Sequence, residues 1–105
     1  MDALVFMHPE TTNSLAAIRI LGFQGALKAA FTRAMSGNKP REEAIRCLKL
    51  SRSYIKDARF FEFSSGLKER YLLLASFYRI LAHRIYWAAG GDDETMRHGF
   101  LRVVK

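Results

Sequence analysis

The residues of this 105-residue chain with the most chemical potential are three histidines, a single cysteine and a Glu-x-x-x-His pair. His8 sits in "MDALVFMHPE" with no nucleophile or acid nearby in the sequence. His83 has Arg79 and Trp87 four residues to either side, and neither is a metal ligand or a carboxylate. Glu94 and His98 are four apart and would share a helix face, but two ligands fall short of the three or four that zinc takes. Cys47 lies between Ala44 and Leu48, where a thiol behaves as a small hydrophobe. A nucleophilic role would require exposure and a lowered pKa. The chain also lacks a glycine-rich phosphate loop, a CxxC pair and a paired-carboxylate motif. The expectation is a protein that is not an enzyme and that uses no cofactor and no metal.

Binding is the alternative to catalysis, and the charge balance favours it. Lys and Arg number 17 against 10 acids, a formal net charge of +7 that suits an acidic or polyanionic partner. No acid occurs between Thr11 and Arg41. The segment that could concentrate this charge is "EEAIRCLKLSRSYIKDARFFEF", residues 42–63. Its middle has the spacing of a DNA-binding helix-turn-helix, with Leu48, Leu50 and Ile55 at the buried positions. Arg46, Lys49, Arg52, Ser53, Lys56 and Arg59 would then contact nucleic acid. Two positions depart from that motif. Ile45 stands where a small residue lets the helices cross, and Lys49 stands where glycine makes the turn. A continuous helix needs neither concession. Ala44, Cys47, Leu48, Ser51, Tyr54, Ile55, Ala58 and Phe61 follow one face at three- and four-residue spacing, with the basic residues opposite. One long helix is therefore expected, its basic back serving as a solvated face or as a footprint for nucleic acid or an acidic protein.

Aromatic residues follow the basic stripe at Phe60, Phe61 and Phe63. Three phenylalanines in four positions cannot all face one side of a helix. Aromatics beside arginines have the composition of a protein-interface hot spot. Phe60, Phe61, Phe63, Tyr86 and Trp87, with Arg59 and Arg84 at the rim, are thus the expected contacts for a partner protein.

The elements that must position these groups are helices. Proline occurs only at 9 and 40, and glycine-containing breaks fall at 37, 66 and 90–91. Between them apolar residues recur at helical spacing, and no window alternates as a strand would. The fold class is all-α: a small bundle of three long helices and a short C-terminal one, in a single domain. Asn13 or Ser14 caps a first helix running to about Ser36, after a loosely packed arm at 1–12. Pro40 opens a second helix, with Glu42 and Glu43 at its positive end. A third runs from about Leu67 to Ala89, and Asp92 or Asp93 caps a fourth reaching about Val104. Helix one carries Ile18, Gly22, Gly25 and Ala29 at helical spacing, which suggests a close helix crossing or a dimer seam. Helix three is apolar nearly all round, more than so small a bundle can cover. A homodimer is expected on that ground.

The single cysteine suits a reducing compartment, and the first ten residues lack the basic region of a secretory leader. Tyr71 to Ala89 carries Arg79, His83 and Arg84, which argues against a membrane span there. The resulting expectation is a cytoplasmic regulator that binds an apolar patch with an acidic rim on another protein. It would act as an adaptor, or as an antagonist covering a partner's dimerisation surface. A DNA-binding regulator is the alternative.

Overall fold

The computed structural model describes residues 9–61 and 65–90, and these form an all-helical arrangement of α1 (Pro9–Ser36), α2 (Pro40–Phe60) and α3 (Ser65–Ala88). The fourth helix, Phe63 and the Glu94–His98 pair lie outside the described residues.

Helices α2 and α3 form an antiparallel pair that holds most of the core. Every turn of α2 places a residue on the α3 side: Ala44, Cys47, Leu48, Ser51, Tyr54 and Ala58 are buried. They meet Leu74, Phe77, Tyr78, Leu81 and Ile85 of α3. Ser51 Oγ donates a buried hydrogen bond of 2.7 Å to the carbonyl of Ala75. A polar side chain at this position is tolerable because its one hydroxyl is satisfied. Tyr54 stacks on Tyr78 with ring centroids 5.6 Å apart and lies 5.8 Å from Tyr71. At the other end of the pair Arg41 Nε donates to the Ala89 carbonyl at 3.1 Å.

Residues 40–60 are one unbroken helix, and no non-glycine residue among those described has a positive φ. Lys49 is helical, so the turn of a helix-turn-helix is absent. The face expected from the spacing is the buried one. Ile55, 41% exposed, is its main departure.

Helix α1 differs from expectation twice. It begins at Pro9, ahead of Asn13 and Ser14, with Glu10 in its first turn. It also bends sharply at Gly22, where φ is 78° and ψ is 165°. An L-residue with such a φ costs about 1–2 kcal/mol, so glycine is explained by the backbone here. A Cβ on Gly22 would meet nothing within 4 Å, which rules out the close helix crossing expected at this position. At Gly25 a Cβ would come 3.1 Å from the Cβ of Leu21, because the chain folds back on itself at the bend.

The two limbs, residues 9–21 and 23–36, lie against different neighbours. The first is tied by hydroxyl–hydroxyl hydrogen bonds between Thr11 and Tyr54 (2.7 Å) and between Ser14 and Tyr78 (2.6 Å). The second buries Ala26 and Leu27 and sets Phe23 edge-on to Phe77 at 5.8 Å. By length and composition α1 qualifies as a membrane span, with a mean hydropathy of 1.2 over an 18-residue window. The bend divides it, and neither limb alone reaches the roughly 20 residues a span needs.

Candidate functional site

The residues expected to share one partner surface are separated by the length of the hairpin. Phe60 is 81% exposed at the last turn of α2, and Trp87 is 66% exposed at the last turn of α3. Because the helices are antiparallel, these turns are at opposite ends, about 30 Å apart at 1.5 Å per residue. Phe61 is half-buried and lies parallel to Tyr71, with ring centroids 5.2 Å apart. It closes the end of the core. Tyr86 is only 4% exposed and belongs to the core, so it is not available as a partner contact. The sequence spacing could not separate Tyr86 from Trp87: adjacent residues on an apolar helix look equally available, although a 100° turn puts one inside and one out.

The Trp87 end is the more developed of the two. Trp87 meets the ring of the buried Tyr86 edge-on at 5.2 Å. Beside it a cleft of about 690 Å³ runs between the second limb of α1 and the end of α3, lined by Gln24, Lys28, Phe31, His83, Arg84 and Trp87. Phe31 packs its inner edge on the core. Arg84 Nη2 donates to Gln24 Oε1 at 3.3 Å, holding the guanidinium at the rim. Desolvation, followed by the nearby charge of Arg79, pushes the His83 imidazole below its ordinary pKa. At neutral pH its uncharged ring therefore adds to the apolar lining. Lys28, Phe31 and Gln24 were not anticipated, because their contribution depends on how α1 is laid along α3 after the bend.

The basic face of α2 divides as well. Lys49, Arg52, Ser53, Lys56 and Arg59 are exposed along its outer side. Arg46 is not part of that open stripe. Its guanidinium donates to both oxygens of Glu43 and, at 3.0 Å, to Glu10 Oε2. Hydrogen bonds to Glu43 and then Glu10 raise its pKa further, and the Arg46 hydrogen bond holds Glu43 below the ordinary carboxylate value. Tyr78 donates to Glu10 Oε1 at 3.3 Å, completing a cluster that joins all three helices. Its role is structural. The Cys47 thiol, wholly buried beside Glu43, is pushed up to about 12 by burial and then by that carboxylate, so it remains protonated.

The chain matches no family model, no curated protein and no solved structure. The functional reading therefore rests on the residues themselves. Among the described residues, no three of His, Cys, Asp or Glu converge as metal ligands would.

Proposed function

We propose that this protein is a small non-enzymatic regulator that acts by binding another protein, with Trp87 as its anchor. The observation that carries the reading is a two-thirds-exposed tryptophan beside an apolar cleft rimmed by Lys28 and Arg84. Tryptophan and arginine dominate interface hot spots because they bury large areas and can pair with a carboxylate as they do so. The matching partner offers an apolar side chain to the cleft and acidic residues to its rim, and the cationic rim speeds encounter. Such a protein would serve as an adaptor, or as an antagonist covering the dimerisation surface of a regulator. In this reading it is cytoplasmic and homodimeric, and Leu72 and Leu73, 41% and 38% exposed on α3, supply apolar surface for the second copy.

The test is quantitative affinity capture from the native cell with matched variants. A specific partner is lost with Trp87→Ala and with the Lys28→Glu, Arg84→Glu pair. It is retained with Phe60→Ala and is insensitive to nuclease. Capture that survives Trp87→Ala would sink the assignment. Capture that disappears on nuclease treatment and with Lys49→Ala and Lys56→Ala would move the function to nucleic acid on the outer face of α2, with the steep salt dependence of phosphate contacts.

A further inference from the structure

The bend at Gly22 leaves a trough that no side chain fills. It is open to solvent and offers about 810 Å³ between the two limbs of α1 and the underlying α2 and α3. Cavities of roughly 300–1,000 Å³ take small molecules, and close-packed interiors do not leave such a volume open. Its walls are short by composition: Ala17 from the first limb faces Ala29 and Ala30 from the second, over Phe77 and Leu81 of α3. These residues offer an apolar bed with no hydrogen-bonding requirement of its own.

The polar groups of the trough are unevenly balanced. Glu10 and Glu43 are already engaged by Arg46. They offer little to a cation. Arg33 and Lys39 also line the trough, Lys39 one turn ahead of Glu43 with its carbonyl accepting the Glu43 N–H at 3.1 Å. Lys39 makes only a long, solvent-exposed pair of 3.9 Å with Glu42. Such an exposed pair holds its charges weakly. Arg33 is exposed near the end of α1, and among the described residues it pairs with no carboxylate. Three cations face two carboxylates around the trough as a whole. An apolar bed with a net positive rim, and on it an Arg33 that pairs with no carboxylate among the described residues, selects a ligand that joins an apolar body to a negative charge.

We propose that this trough binds a small amphipathic anion, a carboxylate carried on a short apolar chain or ring. The apolar part lies on Ala29 and Ala30, and the carboxylate accepts hydrogen bonds from Arg33. The site is distinct from the Trp87 cleft, so it stands or falls separately from the partner-binding reading.

Octanoate, octan-1-ol and octylamine are suitable probes, titrated into the full chain and followed by amide NMR. Octanoate is expected to shift the amides of Ala29, Ala30 and Arg33 and to bind tighter than the alcohol or the amine. Arg33→Gln is expected to weaken octanoate about tenfold, as loss of one charge-assisted hydrogen bond implies, with the alcohol unaffected. Ala29→Trp fills the trough and should abolish binding while the amide spectrum stays dispersed. Arg33→Gln, on an exposed side chain, keeps the test decisive even if the larger residue perturbs folding. Octanoate shifts confined to other residues, equal binding of the three probes, or unchanged affinity in Arg33→Gln would each overturn the proposal.

Discussion

Helix α1 is the more apolar of the first two helices, with four charged residues in 28 against nine in 21 for α2, yet it buries less. In 21 residues α2 buries Ala44, Cys47, Leu48, Ser51, Tyr54 and Ala58, whereas the 28 residues of α1 bury only Thr11, Ala26 and Leu27. The difference is one of geometry. A straight helix against an antiparallel neighbour keeps one face inward over its whole length. A bent helix changes its inward face at the bend, and much of its apolar surface remains outside. Ile20, 77% exposed beside Gly22, is the clearest instance. Most of the core lies in the α2–α3 pair, while the two proposed binding clefts both depend on where α1 is laid.

Substitutions can break this contrast, and the largest effect belongs to the hairpin. Leu74 is fully buried, and Leu74→Ala should lower the unfolding free energy by about 2–5 kcal/mol in urea titrations. Ile20→Ala should change it by less than about 0.5 kcal/mol. Equal losses would mean that α1 is as much a part of the core as α3.

Next in size is Tyr54→Phe, which strands the buried hydroxyl of Thr11 and should cost about 1–3 kcal/mol. Hydrogen exchange should then rise over residues 9–21 before it rises in the hairpin. Gly22→Ala should follow, at about 1–2 kcal/mol, because alanine resists the positive φ of the bend.

Smallest is the pH effect of Glu43. Its pKa is lowered in the folded state from the ordinary glutamate value, chiefly by the hydrogen bond from Arg46. The stability it contributes is therefore present above that value and is lost as pH falls through the lower folded-state value. Partial exposure should keep the loss below about 1 kcal/mol. Glu43→Gln should remove this part of the acid sensitivity, as read from thermal unfolding between neutral pH and pH 3.

How much of this was legible in the sequence follows the same division. The all-α class and the unbroken α2 could be read because period, breakers and propensity agree across residues 40–60. The basic stripe was also visible, but not the removal of Arg46 from it, since Glu10 reaches Arg46 from 36 residues away. The small size of Gly22 at helical spacing points to close packing. Its actual role lies in its φ, which residue spacing does not encode. Composition led to the expectation of Trp87 and Arg84 as partner contacts, and both are exposed at the same end of α3. Their neighbours Lys28 and Phe31 became visible only once the bend had set the second limb along α3. Phe60 and Trp87 looked alike in sequence, and the antiparallel pairing of their helices sets them apart.

The chain's single tryptophan reports directly on docking of a partner at the Trp87 end. Trp87 fluorescence should be titrated with the captured partner, together with iodide quenching. In the free protein the emission should be red-shifted and readily quenched, as befits an indole that is 66% exposed beside two cations. On saturation it should shift to the blue and become protected. A complex that forms while Trp87 keeps its red-shifted, quenchable emission would contradict the account.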